Sequence, residues 1–299
     1  MLRHTPFHER VAAANQTSLW SHWNGHLVVD KYQMSEKFEY TAIRNAVGVY
    51  DSSPIYKYRV VGPDAERYLS GVLTRDVRTC KPGQAQYTIW CDDRGYVNED
   101  GIVFRHSPDE YLLTAAEPNL AYFQNLIGYD KVEIEEVTEQ YASLAVQGPR
   151  AFAVLSQLAP EIATLGFFEH KPVKIGNAPV TVSRTGFTGD LGYEVFCDAG
   201  DALEVWDALF EAGTPHGMLP FGQTAILMAR IEAGLVLVHV DFDASRLAEN
   251  DEHRSTPIEL GLGWMLNTID DDSRPFVGRR APQAAQLLAH PDPLLVFDH

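Results

Sequence analysis

Two short segments of the sequence combine residue types that could do chemistry. In the first, CDDRGYVNEDGIVFR (91–105), Asp100 lies within a run of strand-forming residues, where aspartate is disfavoured. A carboxylate on a strand just after a turn is well placed to face a pocket and to exchange a proton there. The pattern is equally compatible with an aspartate that faces solvent from an edge strand.

The second segment is SRTGFTGDLGYE (183–194), with three glycines among the seven residues 186–192. Glycines allow a tight loop whose backbone can approach a ligand closely. Glu194 begins the strand that follows and supplies a second candidate carboxylate. A plain hairpin turn is the alternative interpretation of this segment.

Other common motifs of catalysis and metal binding are missing. The sequence contains no P-loop, no complete GxGxxG and no GxSxG. The pairs His4/His8 and His22/His26 have helical spacing but no nearby carboxylate or cysteine at ligand spacing, so ordinary surface or interface histidines are favoured. The run 270–272 has three aspartates but lacks the glycine and terminal glutamate of a calcium loop. We therefore predict no metal site.

Composition limits the classes of partner. With 24 basic and 41 acidic residues the net charge is −17, which disfavours nucleic acid and anionic membrane surfaces. No apolar run approaches the roughly 18–20 residues of a spanning helix, and the N-terminus lacks the apolar stretch of a signal peptide. The three cysteines have no CxxC spacing, which fits a reducing compartment. We expect a cytoplasmic protein without nucleic-acid or membrane partners.

The elements that would position the two segments follow a repeated order. Strand and helix patterns from residue 56 to 127 read β-α-β-β-β-α, and a similar order returns from 141 to 213. Within it, Pro149 is expected to begin a helix, Gly213 to end one, and residues 221–235 to form another. At 299 residues, and roughly 100–200 residues per domain, the chain has room for about two domains. We predict two related α+β units with antiparallel sheets.

Seven segments in order resemble the glycine-cleavage T-protein (aminomethyltransferase) superfamily of tetrahydrofolate-dependent enzymes. They are 39–77, 82–103, LAVQGPRA (144–151), SRTGFTGDLGYEVF (183–196), RIEAGL (230–235), TPIELGLGW (256–264) and FVGRRA (276–281). The resemblance implies an α+β fold in which two related ferredoxin-like lobes form a folate pocket. It also implies that residues 1–53 with 142–280 form the first lobe and 54–141 the second. Residues 281–299 would be the stub of a C-terminal β-barrel lobe that is otherwise largely absent.

The resemblance also implies roles for individual residues. Asp100 matches the family's essential aspartate, which lies near the reactive N5/N10 edge of the folate. Tyr87 matches a pocket tyrosine, Phe187 stands where many members have a tyrosine against the pterin, and Glu194 matches the glutamate that hydrogen-bonds the pterin amino group. Arg230 is a further cofactor-binding candidate, although its place in the RIEAGL motif favours a structural role.

Two departures from the T-protein pattern narrow the expected activity. Residues 225–227 are Ala-Ile-Leu where the T-protein has Ala-Arg-Asp, and residues 53–56 are Ser-Pro-Ile-Tyr where it has Ser-His-Met-Gly. Both changes look more like the demethylase and methyltransferase branch. We predict a transferase that moves a one-carbon group from a small methylated amine, sulfonium or methoxy donor to tetrahydrofolate. The resemblance also admits a lipoyl-type carrier protein as partner.

Two alternatives to an enzyme stay open at this point. One is a non-enzymatic folate-binding protein of the same fold, like the superfamily's iron–sulfur assembly factors. Their cysteine-containing loop motif has no counterpart in residues 185–190, which counts against that alternative. The other is a regulatory protein that has lost its pocket.

Overall fold

The computed structural model describes residues 2–269 and 273–279. Its α-helices are α1 (His8–Ala14), α2 (Glu36–Asn45), α3 (Ala65–Val72), α4 (Leu120–Asn125), α5 (Ala151–Leu158), α6 (Ala202–Gly213) and α7 (Gln223–Glu232). Its strands are β1 (Leu19–Trp23), β2 (His26–Lys31), β3 (Val47–Asp51), β4 (Tyr56–Val61), β5 (Ala85–Cys91), β6 (Val97–Ser107), β7 (Glu110–Ala115), β8 (Glu133–Glu136), β9 (Tyr141–Gln147), β10 (His170–Ile175), β11 (Ala178–Ser183), β12 (Gly192–Asp198) and β13 (Met218–Pro220).

Two larger sheets organise these elements. A six-stranded sheet has the order β10-β11-β12-β9-β3-β13, and a five-stranded sheet has the order β5-β6-β7-β4-β8. All pairs are antiparallel except β13 with β3. The chain passes through β9-α5-β10-β11-β12-α6-β13 and through β4-α3-β5-β6-β7-α4-β8, which is the same order twice. The predicted α+β class with two related antiparallel-sheet units is confirmed.

The lobe boundaries, 1–53 with 142–280 and 54–141, stay a prediction. The strands of the six-stranded sheet come from 47–51 and 141–220, and those of the five-stranded sheet from 56–136. The predicted barrel stub, 281–299, lies outside the described residues.

Each large sheet packs one face against helices. Alternate residues of β9 and β12, such as Leu144 and Val195, are buried in one apolar cluster with residues of α5 and α6. Tyr58 and Val60 of β4 are buried in a second cluster with residues of α3 and Phe123 of α4. Because side chains alternate along a strand, the other face of each sheet carries the residues between these.

The two sheets contact each other through the faces opposite to these two clusters. Phe104 of β6 and Phe196 of β12 lie edge to face, with ring centroids 5.4 Å apart. Both belong to a buried cluster that also contains Leu112 of β7 and Val137. Backbone bonds join the same region, since Ala85 N–H donates to the Phe168 carbonyl at 2.8 Å. Apolar contact therefore holds these two faces together.

Some of the expected helix boundaries differ from those in the structure. The helix after Pro149 begins at Ala151, because the chain first turns at Gly148, whose φ is +126°. The helix expected to end at Gly213 does end there, and a short 3₁₀ segment then leads to Gly217, which has a φ of +76°. The helix expected over 221–235 spans only α7. No helix of the described residues is long and apolar enough to cross a membrane.

Gly101 of β6 lies very close to β7, so a substitution at Gly101 tests the packing between these two strands. A β-carbon on Gly101 would lie 1.9 Å from the Thr114 carbonyl oxygen. We expect Gly101→Ala to lower the free energy of unfolding by about 1–3 kcal/mol, because backbone must move to admit the methyl group. Urea denaturation measures the change. In the control Gly71→Ala the nearest atom outside the helix is 3.8 Å away, and unfolding free energy should change by less than about 1 kcal/mol.

Candidate functional site

Asp100 and Tyr87 are in direct contact on neighbouring strands. The Tyr87 hydroxyl donates a hydrogen bond to Asp100 Oδ2 at 2.9 Å, and Asp100 lies opposite Ile89 in the pairing of β5 with β6. Burial raises the pKa of Asp100 to about 6, although the Tyr87 hydrogen bond opposes the increase. The negative charge of Asp241 adds to the increase. A carboxyl with this pKa can gain or lose a proton near neutral pH.

Glu194 lies on β12, where Ser183 and Ala145 are its cross-strand neighbours. The Thr185 hydroxyl donates to Glu194 Oε2 at 2.5 Å. Burial raises the pKa of the Glu194 carboxyl, while the Thr185 hydrogen bond and the ammonium group of Lys57 lower it. Among the described residues Thr185 is the one hydrogen-bond donor to this side chain, so its second oxygen is available to a ligand.

The loop before Glu194 is built around the buried side chain of Gln147. Gln147 Nε2 donates to the Tyr193 carbonyl at 3.1 Å, and Oε1 accepts from the Thr188 hydroxyl at 2.9 Å. A β-carbon on Gly186 or Gly192 would lie 2.1 Å from Gln147 Oε1. These two glycines therefore make room for an internal amide, a role different from the ligand approach that the sequence suggested.

Phe187 lies in this loop and is half-buried. Its ring packs against an apolar cluster that includes Tyr50 of β3, Phe221 and Ala225 of α7. Ala145, the cross-strand neighbour of Glu194, belongs to the same cluster. The aromatic side chain and the carboxylate therefore lie on the same part of the six-stranded sheet.

The two candidate carboxylates project from the sheet faces that meet. Asp100 precedes Phe104 by four residues on β6, and Glu194 precedes Phe196 by two residues on β12. Even spacing along a strand puts side chains on the same face, so each carboxylate shares a face with one of the contacting phenylalanines. The structure thus brings Asp100 and Tyr87 together and places Glu194 and Phe187 on the opposing sheet.

Arg230 is buried, and its side chain contacts the residues that follow α7 in the chain. Its guanidinium pairs with Asp241 and donates to the Leu235 carbonyl at 3.2 Å. Asp241 Oδ2 in turn accepts from the Leu237 N–H at 2.8 Å. This arrangement holds the segment after α7 and agrees with the structural role that the RIEAGL motif favours. A cofactor contact by Arg230 stays a prediction.

Neither histidine pair lies on a single helix. His22 and His26 belong to the two strands of the β1–β2 hairpin, and the rings of His4 and His8 stack with centroids 3.6 Å apart. No group of three or more His, Cys, Asp or Glu side chains within 2–269 and 273–279 could hold a metal ion. The acidic run 270–272 lies outside the described residues.

The sequence interpretation missed two buried ionisable residues next to the site. Glu99, adjacent to Asp100, accepts a hydrogen bond from the Glu117 N–H at 2.8 Å and another from the Asn119 side chain. Burial raises the pKa of Glu99 to about 8. Lys57 of β4 is also fully buried. The only signal for either residue was a charge at an inner position of a strand-forming run.

A model of the GCVT N-terminal domain family matches residues 7–269. The chain belongs to this family. Within the GCVT family, the chain is 33% identical to the trimethylamine-oxide aldolase of Ruegeria pomeroyi, over 94% of this chain and 36% of that protein. It is 34% identical to the aminomethyltransferase of Halothermothrix orenii, over 81% of this chain and 66% of that protein. These matches confirm the resemblance found in the sequence.

One further GCVT relative and one solved structure of similar fold extend the comparison. The heme-dependent oxidative N-demethylase gamma subunit of Ectopseudomonas mendocina is 32% identical, over 84% of this chain and 67% of that protein. The crystal structure of the glycine cleavage system aminomethyltransferase T from Bartonella henselae has a TM-score of 0.83 and 24% identity, over 97% of this chain and 75% of that one. The chain thus spans about a third of the aldolase and about two thirds of the aminomethyltransferase sequence.

Because the pKa of Asp100 is raised, its ionised carboxylate should lower the free energy of unfolding by an amount that depends on pH. This lowering is a cost in stability. The carboxyl titrates at about 6 in the fold and near 3.8 when exposed, so the cost is absent below pH 3.8 and complete above pH 6. We expect Asp100→Asn to raise the free energy of unfolding by about 1–3 kcal/mol at pH 7.5 and by only about 0.6 kcal/mol or less at pH 4. Urea unfolding at both pH values measures this difference.

Asp93, an exposed aspartate in the preceding turn, is the matched control. Asp93→Asn should leave unfolding unchanged at both pH values. Equal effects of the Asp100 substitution at pH 4 and pH 7.5 would contradict the electrostatic explanation.

Proposed function

We propose that this chain is the folate-binding part of a tetrahydrofolate-dependent transferase that takes a one-carbon group from a small methylated amine. The observation that carries the proposal is the placement of the Asp100–Tyr87 pair and Glu194 on the two sheet faces that contact each other. The names of two relatives, a trimethylamine-oxide aldolase and an N-demethylase gamma subunit, support a donor with carbon bound to nitrogen.

The residues present suit the cofactor chemically. Glu194 has a carboxylate oxygen available, and carboxylates accept well from the paired N–H groups of a 2-aminopyrimidine ring. Phe187 offers a flat apolar surface to a flat ring. When bound, tetrahydrofolate would supply the nitrogens that take up the one-carbon unit. The chain's own residues would bind and orient it.

Asp100 would handle the proton that accompanies transfer. Its pKa of about 6 leaves the carboxyl ionised at pH 7 yet able to accept a proton without a large penalty. The Tyr87 hydrogen bond holds Asp100 Oδ2 in place, so Oδ1 is the oxygen left to face a ligand. Tyr87 is therefore proposed to orient the carboxylate, and Asp100 to exchange the proton.

We propose a cytoplasmic location and a partner subunit that supplies the donor. The three cysteines are buried and unpaired, which suits a reducing compartment. One relative is named as a gamma subunit, and another is about three times the length of this chain, so related domains work beside other protein parts. A lipoyl-type carrier stays a second partner class.

Binding of 5-formyltetrahydrofolate, measured by calorimetry, tests the folate part of this proposal. We expect Glu194→Gln to weaken binding about 10-fold or more, because hydrogen bonds to an ionised acceptor are worth roughly 1.5–3 kcal/mol. Glu133→Gln, an exposed carboxylate on β8, is the control and should bind like the wild type. A wild type without measurable affinity for the folate would rule the proposal out.

Turnover separates an enzyme from a folate-binding protein. The chain would be incubated with tetrahydrofolate and panels of methylated amines, sulfonium compounds and aryl methyl ethers, and folate products followed by mass spectrometry. We expect product from an amine donor and a loss of about 100-fold or more in Asp100→Asn, with folate affinity changed less than about threefold. Folate binding without product from any donor would instead favour the non-enzymatic alternative.

A further inference from the structure

Lys57 carries a buried ammonium group at the contact between the two sheets. It is fully buried on β4, and its neighbour Tyr58 packs toward the helices of the five-stranded sheet. Alternation along the strand therefore directs Lys57 toward the six-stranded sheet. Its Nζ donates to the carbonyls of Ser53 and Ile55, each at 3.0 Å. Burying a lysine is costly unless its charge is compensated.

Ser53 links this ammonium group to the sheet that carries Glu194. Its carbonyl accepts from Lys57 Nζ, and its Oγ accepts from the Ser143 N–H of β9 at 3.2 Å. Ser143 lies two residues before Ala145, the cross-strand neighbour of Glu194. The Lys57 ammonium group therefore lies on the part of the six-stranded sheet that carries Glu194.

Three carboxylates stabilise this ammonium group: most strongly Asp51, then Glu194 and Glu139. Asp51 has hydrogen bonds of its own, from the Thr5 hydroxyl at 2.6 Å and from the Ser53 N–H at 3.1 Å. Asp51 is thus stabilised by hydrogen bonds from two other residues.

Glu139 also has other partners. It is half exposed and pairs with Arg3 at 2.5 Å and with His26 at 3.3 Å. Glu194 differs from both, because Thr185 is its one hydrogen-bond donor among the described residues. The carboxylate with the fewest other partners is therefore the one proposed to bind the cofactor.

We propose that Lys57 is a positioning residue that keeps Glu194 ionised, so that this carboxylate can accept hydrogen bonds from the aminopyrimidine edge of tetrahydrofolate. This inference rests on the proposed function. A protonated Glu194 would carry an O–H toward the N–H groups of the ligand and would lose an acceptor. Lys57 thus acts from the five-stranded sheet on a ligand contact made by the six-stranded sheet.

The electrostatics of the pair agree with this arrangement. Burial raises the pKa of Glu194, and the Lys57 charge counters that increase. Burial lowers the pKa of Lys57 to about 7, and Asp51, Glu194 and Glu139 counter that decrease. Glu194 is ionised at pH values above its pKa. Removing the Lys57 charge should raise that pKa, so Glu194 should become protonated at a higher pH than in the wild type. An opposite charge at close range typically accounts for roughly 1–3 pKa units.

The test compares Lys57→Met with wild type in calorimetric binding of 5-formyltetrahydrofolate between pH 6 and 9. At pH 6.5 we expect the variant to bind about 10-fold or more weakly, and its affinity to approach that of the wild type as pH rises. Lys57→Arg keeps the charge and should retain most of the affinity at pH 6.5. Lys174→Met, at an exposed lysine on β10, is the control and should show the wild-type profile.

A double-variant cycle distinguishes action through Glu194 from general structural damage. In a Glu194→Gln background, Lys57→Met should weaken binding no further, because no carboxyl remains to be kept ionised. The same loss with and without Glu194, or a pH-independent loss, would contradict the inference while leaving the proposed function intact. Absence of folate binding in the wild type would instead overturn the proposed function and this inference with it.

A second measurement covers the case in which Lys57→Met does not fold. Carbon-13 NMR of wild-type protein labelled at glutamate carboxyl and lysine ε carbons follows both groups, with Glu194→Gln and Lys57→Arg identifying the resonances. At pH 6.5 the inference requires an ionised Glu194 together with a protonated Lys57. A neutral form of either group at that pH would refute it.

Discussion

The contact between the two sheets depends on keeping buried charge in balance. Asp100, Glu194 and Lys57 all lie at sheet faces that meet, yet such groups are stable inside a protein only when hydrogen-bonded or paired. Each has a specific partner: the Tyr87 hydroxyl for Asp100, the Thr185 hydroxyl for Glu194, and two backbone carbonyls for Lys57. These partners come from several strands and loops, so the arrangement of charges depends on the register of both sheets.

The faces of the two sheets that point away from their contact make this arrangement of charges possible. Each sheet buries alternate apolar residues against its own helices, which gives each sheet its own apolar core. Apolar contact between the sheets is concentrated around Phe104 and Phe196. The neighbouring positions on the same faces are free to carry polar residues, and two of the candidate site residues occupy them. The apolar clusters hold the sheets, and the charged residues beside them give the interface its chemistry.

The features that could be predicted from the sequence are those that local patterns of residues determine. The order of strands and helices and the strand position of Asp100 follow from alternation and from the turn signals between strands. Lys57 could not be placed, because a lysine at alternate positions of a strand looks the same whether it faces water or another sheet. The role of Gln147 was equally hidden, since its contact with Gly186 joins segments far apart in sequence.

The hairpin β1–β2 and the parallel pairing of β13 with β3 were also not predicted. Asn24 and Gly25, both at positive φ, join the strands of this hairpin. An Asn-Gly pair is a local hairpin signal, but the flanking residues, with two tryptophans and two histidines, lack clear alternation. The parallel pair brings Val47 beside Met218, and no local pattern specifies a partner at that distance. Residue types thus indicate which segments form strands, but long-range packing selects their partners.

The path of the chain through the two sheets has a consequence for synthesis on the ribosome. All strands of the five-stranded sheet lie within residues 56–136, so this sheet is complete in sequence before β9 emerges. β3 is made earlier, but its partners β9 and β13 come later, as the pairing of Val49 with Val146 shows. Contacts between distant segments form slowly because a long loop must close first. The nascent chain therefore carries an unpaired, apolar β3 beside an already folded sheet, and during that interval it depends most on protection from aggregation.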